Sequence, residues 1–140
     1  MPNHVRNRLT IRGDSATLDR VMLYVDNGVL DFQKILPLRG VYWGNVGRLE
    51  EKLYGHRNAL DFARDVWGTK WGAYDSKITR SEGELVFDFD TAWSAPHPVI
   101  LELMQLVPCE VLHEWSCEGG CTWGRILYRD GHHVIVRCSD

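Results

Sequence analysis

The sequence of 140 residues predicts one domain of the α+β class, built on an antiparallel sheet. Three observations indicate this class. Some segments alternate apolar and polar residues with the period of a half-buried strand, as between Leu85 and Thr91. Other segments repeat apolar residues at helical spacing, as between Ile100 and Val107. The two kinds of pattern follow one another along the chain, so we expect a single domain over residues 1–140 with one shared core.

The chain opens with a strand and a helix. Between Val5 and Ile11 apolar residues alternate with polar, mostly basic ones, which predicts a strand with one apolar and one basic side. Asp14 or Ser15 is placed to cap the following helix, and Asn27-Gly28 is placed to end it in the left-handed conformation. The apolar stripe of this helix is formed by Leu18, Val21, Met22 and Val25. We therefore expect an amphipathic helix that faces the core.

Residues from about 29 to 75 form the least regular stretch and are predicted to be a helical insertion. The segment Asp31 to Leu38 is predicted to be extended, because a proline near its end disfavours helix in the residue before it. Apolar residues between Leu49 and Trp67 recur at helical spacing. The insertion ends in a glycine-punctuated aromatic loop that runs from Trp67 to Asp75.

The next elements are a hairpin and a helix. The hairpin is predicted over residues 77–91 with its turn at Glu82-Gly83. The helix follows directly, with Pro98 tolerated in its first turn and Ser94 or His97 placed to cap it. The strand pattern therefore changes to a helix pattern within a few residues.

The last elements complete a known arrangement. A strand is predicted over residues 109–115, and a hairpin over residues 123–138 with its turn at Asp130-Gly131. Without the insertion the order is βαββαβ with an added C-terminal β-hairpin. This order is the split βαβ arrangement of ferredoxin-like domains, so we expect a ferredoxin-like antiparallel sheet.

The ferredoxin-like topology predicts which strands are neighbours. The strand that ends at Trp93 would lie beside the first strand, with both helices on one face of the sheet. Asp88 and Asp90 would then sit on the opposite face, near Arg6 and Arg8. Because cross-strand ion pairs explain these two acids, we do not assign them to a catalytic carboxylate pair.

No other pattern indicates catalysis or a bound metal, so we expect no enzyme activity, no cofactor and no metal site. The sequence has no glycine-flanked serine elbow and no phosphate-binding loop. Cys117 and Cys121 form one loose pair and lack the second pair that structural zinc sites use. Cys109 and His113 fall on the apolar side of their strand, as ordinary core residues do.

Composition predicts a soluble, cytoplasmic protein. No apolar run approaches the length of a membrane span, and the first residues lack a secretory signal, so the four cysteines are expected to be reduced thiols. The charge is uneven: residues 1–72 carry 11 Lys and Arg against 8 acids, and residues 73–140 carry 5 against 11. The first half would suit a polyanion and the second a basic partner, or the charges only solvate opposite ends of the domain.

The aromatic loop and the segment after Thr91 hold the candidate binding residues. Their rings would stack on a base while Lys70 and Arg80, which are nearby in sequence, hold a phosphate, or would anchor a protein interface, where Trp, Tyr and Arg are enriched. A third interpretation is that the tryptophans only pack the insertion onto the domain, with their ring nitrogens bonded to loop carbonyls. The candidates are Trp67, Lys70, Trp71, Tyr74, Asp75, Trp93 and His97.

Several motifs together resemble a known family. They are Asn7-x-Leu9-x-Ile11-x-Gly13 after Pro2-Asn3, then Phe32-x-x-Ile35-x-Pro37, then Trp67-Gly68-Thr69-Lys70-Trp71-x-Ala73-x-Asp75, and finally Phe89-x-Thr91-Ala92-Trp93-Ser94-x-Pro96-x-Pro98-Val99. The set resembles a family carried by phages and conjugative plasmids, with a YubB-type, Api-like ferredoxin-like domain of unknown function. The resemblance spans most of the chain. His4 differs from the Trp-Cys that relatives often carry, and the C-terminal hairpin matches only at Glu118-Gly119 and Gly124-Arg125.

The resemblance implies a context from which we draw two hypotheses. Small proteins of mobile elements often act by binding, so the first is a non-catalytic accessory protein that binds a host protein, for example an inhibitor of an antiviral defence system such as CRISPR. The acidic second half would suit this role, because acidic surfaces can occupy nucleic-acid channels. The second is a nucleotide-type small-molecule binder that sequesters a signal, with Trp67, Trp71, Tyr74 and Trp93 as its site.

Overall fold

The computed structural model describes residues 4–36, 67, 69, 72–118, 123–129 and 132–138, the last range by its backbone alone. Its elements in chain order are β1 (His4–Arg12), α1 (Ser15–Met22), β2 (Val25–Asp26), β3 (Val29–Leu30), α2 (Phe32–Ile35), β4 (Tyr74–Ser81), β5 (Glu84–Ala92), α3 (His97–Leu106), β6 (Glu110–Cys117), β7 (Trp123–Arg129) and β8 (His132–Cys138). Within these residues, one antiparallel sheet has the strand order β4-β5-β1-β6-β7-β8, and β2 pairs with β3 in a separate hairpin.

This topology confirms the predicted α+β, ferredoxin-like fold. β1 lies between β5 and β6 and is antiparallel to both. β4, β5, β1 and β6, with α1 and α3, therefore make the split βαββαβ arrangement. β7 and β8 extend the sheet beyond β6 as the added C-terminal hairpin.

The register between β1 and β5 agrees with the predicted pairing. Arg6 lies opposite Asp90 and Arg8 lies opposite Asp88. Both pairs are ion pairs, with Arg6 Nη1 3.1 Å from Asp90 Oδ1 and Arg8 Nε 2.7 Å from Asp88 Oδ1. The register follows from side-chain alternation, because a shift by one residue would turn every buried side chain of the strand to solvent.

One face of the sheet and the two longer helices enclose the core. The sheet contributes the fully buried Val5, Leu9, Ile11, Leu85, Phe87 and Phe89. The helices contribute Leu18 and Val21 from α1, and Val99, Ile100, Leu103 and Met104 from α3. The side chains that alternate with the buried ones point away from these helices and form the second side of the sheet, the open face. The exposed arginines of β1 lie on it.

The dipeptide Asn27-Gly28 does not end a helix, as the sequence suggested. α1 ends at Met22, with Leu23 as its C-cap residue. Asn27 (φ 51°) and Gly28 (φ 74°) instead connect β2 to β3. Positive φ at both central residues is what a type I′ hairpin turn requires, and Asn-Gly is its preferred sequence.

The segment after Asp31 is helical at first, and the prediction of an extended chain is wrong for it. The Asp31 carboxylate accepts a hydrogen bond from the backbone nitrogen of Gln33 at 2.9 Å and so caps α2. Phe32 and Ile35 are buried, which fixes this single turn on the core. The extended prediction at 37–38 and the helical prediction for the rest of the insertion lie outside the described residues, apart from Trp67.

α3 begins without the side-chain cap that Ser94 or His97 was expected to provide. Its N-cap residue is Pro96, which makes no side-chain cap hydrogen bond, and His97 is the first helical residue. The Ser94 carbonyl instead accepts a hydrogen bond from the Thr91 hydroxyl at 2.7 Å. The predicted transition from strand to helix is therefore present. The hydrogen bond of Thr91 to the Ser94 carbonyl holds it, in place of a side-chain cap from Ser94 or His97.

The cysteines differ in their chemical state. Cys117 is disulfide-bonded, so the prediction of four reduced thiols is wrong for this residue. Cys109 is a free, half-buried thiol whose pKa is raised by burial. Across the part of the chain that the structure describes, no helix is both long and apolar enough to cross a membrane.

Candidate functional site

The open face is the side of the sheet that α1 and α3 do not cover. Its outward residues lie in rows across the strands, because residues paired in register point to the same side of a sheet. Three of these rows differ in what they carry. The end row is Tyr74, Asp90, Arg6, Ser116 and Trp123; the mixed-charge row is Lys77, Asp88, Arg8, Glu114 and Arg125; the apolar row is Thr79, Val86, Thr10, Leu112 and Leu127.

The mixed-charge row alternates in sign from one strand to the next. Arg8 donates to both carboxylate oxygens of Asp88, at 2.7 Å and 3.4 Å, and this hydrogen bonding raises the pKa of Arg8. Arg125 Nε lies 3.2 Å from Glu114 on the neighbouring strand. Cations stand on β4 and on β7, and the register continues from Arg125 to Arg137 on β8.

The side chain of Lys77 is the exception in this row. It lies opposite Asp88 in register, but Asp88 is already engaged by Arg8. Among the described residues, none forms an ion pair with Lys77. A lysine on this face is therefore available for an anionic group of a ligand.

A further group of charges surrounds Arg12, at the opposite end of the open face from the end row. Arg12 is 3.5 Å from Glu84 and 3.6 Å from Glu110, between which it lies. Arg129 also donates to Glu110, at 2.6 Å, and this hydrogen bond is the main reason why the pKa of Glu110 is lowered. Acids from β5 and β6 therefore surround the basic side of β1.

These pairs change the meaning of the charge asymmetry in the sequence. The arginines of β1 come from the basic first half, and their partners on β5 and β6 come from the acidic second half. The two sets neutralise each other across the sheet and do not occupy opposite ends of the domain. On the open face, the halves therefore do not form separate basic and acidic surfaces.

The apolar row lies between the mixed-charge row and the charges around Arg12. Val86, Leu112 and Leu127 are half-buried there, each on a different strand. An apolar strip with charged residues on both sides has the composition of a protein interface, in which an apolar centre is surrounded by a polar rim.

A shallow groove of about 580 Å³ runs over the open face between the end row and the mixed-charge row. Its charged lining residues are Arg6, Arg8, Lys77, Arg125, Asp88 and Glu114. Trp123 stands at its β7 end with 37% of its surface exposed. The groove therefore combines a surplus of cations with one accessible indole.

Trp67 is not part of this face. Only 4% of its surface is exposed, and its indole nitrogen donates to the Leu36 carbonyl at 2.8 Å. Its ring packs edge-on against Phe32, with ring centroids 5.6 Å apart. For this residue the structure agrees with the packing interpretation and leaves no ring face for a stacked base. The predicted binding residues Lys70 and Trp71 lie outside the described residues.

Tyr74 and Asp75 open β4 and so belong to the sheet rather than to a loop. The Tyr74 hydroxyl hydrogen-bonds to Nδ1 of His4, and Glu118 accepts a hydrogen bond from the His4 backbone at 3.0 Å. Burial, followed by the nearby charges of Asp90, Asp75 and Glu118, raises the pKa of Tyr74. The phenol therefore stays protonated at neutral pH, as a polar member of the end row.

Trp93 directly follows β5 and has an unusual backbone. Its φ is 75°, in the left-handed region that a bulky residue rarely adopts, and 44% of its surface is exposed. The residues on either side are held by side-chain hydrogen bonds, from Thr69 to the Ala92 carbonyl and from Thr91 to the Ser94 carbonyl, both at 2.7 Å. The fold thus maintains an exposed tryptophan at the same end of the sheet as the end row.

His97 points into the molecule and takes no place on the open face. Its ring lies against Trp115 and His113, with centroid distances of 4.5 Å and 5.4 Å. Burial lowers its pKa, so the ring is neutral at pH 7. The structure therefore separates His97 from the other predicted binding residues.

A buried polar network near His97 was not anticipated from the sequence. Asn7 Nδ2 donates to the Val5 carbonyl and to the Thr91 hydroxyl, each at 3.0 Å, and Asn7 Oδ1 lies 2.9 Å from His113 Nε2. The two hydrogen bonds that Asn7 Nδ2 donates orient its amide, so the amide oxygen faces His113 and can only accept. His113 therefore carries its proton on Nε2. Burial, with a smaller effect of His97, lowers the pKa of His113 to about 3. The sequence signal for this network was a polar residue on the apolar side of each of three strands, namely Asn7 on β1, Thr91 on β5 and His113 on β6.

Neither a metal centre nor a paired-carboxylate centre is assembled in the described ranges. They contain no group of three or more His, Cys, Asp or Glu side chains that could hold a metal ion. Asp88 and Asp90 each contact an arginine of β1.

The fold and this face define a small ferredoxin-like domain with one open side of its sheet. Residues 67–140, more than half of the chain, match the family model described as a ferredoxin-like domain in Api92-like protein, so the chain belongs to this family. The crystal structure of a protein Api92 from Yersinia pseudotuberculosis is similar to it with a TM-score of 0.70. The similarity covers 100% of this chain and 98% of that chain at 13% sequence identity, which shows a common fold. No curated protein matches the chain.

Proposed function

We propose that this chain is a non-catalytic accessory protein that binds a host protein through the open face of its sheet. The observation that carries the proposal is the apolar row, in which Val86, Leu112 and Leu127 lie between charged rows. Interfaces place apolar groups at the centre and charged groups at the rim, where the charges select the partner. Trp123 adds an accessible aromatic residue of the type that dominates binding energies.

The same face is poorly suited to nucleic acid. Sheets that bind single-stranded RNA stack bases on aromatic residues of their central strands. Here the interior strands β5 and β1 present ion pairs instead, and Asp88 and Asp90 engage the arginines that would hold phosphates. A protein partner with charges of both signs is the better complement to such a surface.

The proposal extends to the biological setting. We place the chain among YubB-type proteins of phages or conjugative plasmids, acting in the cytoplasm of the bacterial host. In this setting it would block an antiviral defence complex, such as a CRISPR effector, by covering a surface that the complex uses. The resemblance of the four motifs supports this setting.

The alternative is a nucleotide-type binder that sequesters a signal. The exposure of Trp93 is the observation in its favour, while the burial of Trp67 removes one of its four proposed stacking residues. A titration of tryptophan fluorescence with mono-, di- and cyclic nucleotides separates the two. Saturable quenching by a nucleotide would favour the alternative, and a flat response removes it.

The host-protein proposal is tested by capture from bacterial lysate with matched variants. Leu112→Glu places a charge in the centre of the open face, and Leu101→Glu makes the same change on α3, where Leu101 is 40% exposed. We expect the unmodified chain and the Leu101 variant to retain one stoichiometric partner and the Leu112 variant to lose it. Circular dichroism verifies that both variants are folded.

Two results would count against the proposal. One is that no protein is captured in stoichiometric amount by the unmodified chain. The other is that both glutamate variants retain or lose the partner equally, since the binding surface would then not be the open face.

A further inference from the structure

The mixed-charge row has a geometry that limits what can lie across it. Lys77, Asp88, Arg8, Glu114 and Arg125 follow one another in register over five strands, from β4 to β7. Strands are about 4.8 Å apart, so the two terminal cations are about 19 Å apart. An extended peptide covers that distance in about six residues.

The charges of this row are unevenly compensated. Arg8 is engaged by both oxygens of Asp88, whereas Lys77 pairs with no described residue. Arg125 contacts Glu114 through Nε at 3.2 Å, on one side of a guanidinium group that carries four further N–H donors. Lys77 and Arg125 therefore keep donors for a carboxylate, whereas the donors left on Arg8 lie between Asp88 and Glu114, whose charges repel one.

We propose that the groove binds an extended acidic segment of a protein, which crosses the strands and places one carboxylate on Lys77 and another on Arg125. This inference rests on the proposed function, because it names the chemistry of the partner at the same face. Neutral residues between the two carboxylates pass over Asp88 and Glu114 without repulsion. The indole of Trp123, beside Arg125 at the β7 end, packs against the segment where it leaves the groove.

The spacing distinguishes this occupant from a polyanion. A single strand of nucleic acid carries a phosphate at every nucleotide and would bring negative charges over Asp88 and Glu114. A peptide with separated acidic residues avoids both carboxylates. A basic segment would meet Lys77 and Arg125 at both ends of the row, so its charge is wrong for this groove.

The test uses the full ¹⁵N-labelled chain and three capped heptapeptides, each with five serines between identical terminal residues. The terminal residues are glutamate, glutamine or lysine. We expect the glutamate peptide to shift the amide signals around Lys77 and Arg125 and to bind about 25-fold more tightly than the glutamine peptide, which is about fivefold for each of the two exposed ion pairs. The lysine peptide should bind more weakly still.

Matched variants identify the cations involved. Lys77→Gln should weaken binding of the glutamate peptide about fivefold. Arg80→Gln is the control, because Arg80 lies on the same strand but turns to the helix side, where it pairs with Asp19 at 2.8 Å. This control variant should bind the peptide like the unmodified chain.

Several outcomes would overturn the inference. They are no signal shifts at millimolar peptide, equal or tighter binding of the lysine peptide, no effect of Lys77→Gln, and displacement of the peptide by an oligothymidylate of ten nucleotides. If a host partner is still captured, each of these outcomes rules out the acidic segment as the ligand of the groove and leaves the host-protein proposal in place. If no host partner is captured but the glutamate peptide still binds most tightly, the host-protein proposal is ruled out instead.

Discussion

At the scale of single residues, Trp93 is the position where backbone and side chain conflict most. Its φ of 75° suits glycine, yet the residue is a tryptophan with 44% of its surface exposed. Backbone strain of this kind persists where surrounding contacts enforce it, and it concentrates at functional positions. The hydrogen bonds of Thr69 and Thr91 to the adjacent carbonyls provide such contacts.

This conflict predicts a difference between two substitutions at the same position. Both Trp93→Ala and Trp93→Gly remove the indole, but only glycine adopts the left-handed conformation without steric cost. We expect the glycine variant to have a free energy of unfolding about 1 kcal/mol higher than the alanine variant. Urea denaturation measures the difference, and equal stabilities would show that the backbone at this position is not strained.

His113 predicts how stability depends on pH. Its pKa is about 3 in the folded state and about 6.5 in the unfolded chain, so between these values the unfolded state binds the extra proton. Stability is therefore lost as the pH falls below 6.5, by about 1.6 kcal/mol between pH 6.5 and pH 5 for this one group.

The measurement for His113 is a series of urea denaturations over that pH range. In His113→Gln the side-chain amide can still donate to Asn7 Oδ1, but the titrating group is absent, so the decline should become shallower. An unchanged pH dependence in this variant would assign the decline to other groups. Ring signals of His113 in NMR spectra should remain those of a neutral imidazole at pH 5.

At the scale of elements, Thr91 links the end of β5 to the start of α3. Its hydroxyl accepts a hydrogen bond from Asn7 and donates one to the Ser94 carbonyl, in a buried site. Thr91→Val keeps the side-chain shape but leaves these groups unpaired, so we expect the free energy of unfolding to fall by about 1–3 kcal/mol.

Thr79→Val is the matched control for this prediction. Thr79 is exposed on β4, where valine is a good strand residue, so the change should be close to neutral. Denaturation of both variants gives the comparison. A Thr91 variant as stable as the Thr79 variant would mean that the network around Asn7 does not stabilise the transition from β5 to α3.

The elements also show what the sequence could and could not predict. The pairing of Arg6 with Asp90 and Arg8 with Asp88 was predictable, because alternation determines which side of each strand is buried and the topology then sets the neighbours. Asn27-Gly28 was misassigned, because the same dipeptide suits a helix end and a type I′ turn, and only the pairing of β2 with β3 decides between them.

The candidate site was predicted less well than the fold. A tryptophan beside glycine has the same sequence signature whether it is buried or exposed, so Trp67 was included in a binding site although it packs on Phe32. The mixed-charge row depends on the register of four strand pairs, and Glu114 and Arg125 become neighbours only through it. Sequence spacing alone does not contain that register.

At the scale of the whole molecule, the fold uses its two faces differently. The helices bury one face of the sheet, and on the other face the arginines of β1 pair with acids of the neighbouring strands. The proposed binding surface consists of the apolar row, the accessible Trp123 and the cations Lys77 and Arg125 of the mixed-charge row. Membership of the Api92-like family and the similarity to a solved Api92 structure establish the fold of this scaffold.

The central claim is that the open face binds a host protein. Hydroxyl-radical footprinting of the chain, free and in complex with its captured host partner, tests this claim most directly. Trp123 and Leu112 report on the open face, while Leu23 (70% exposed) and Leu101 (40% exposed) report on the helix side. We expect oxidation of Trp123 and Leu112 to fall in the complex and oxidation of Leu23 and Leu101 to stay the same. Protection of the two helix-side leucines with Trp123 and Leu112 unchanged would contradict the assignment of the binding surface to the open face.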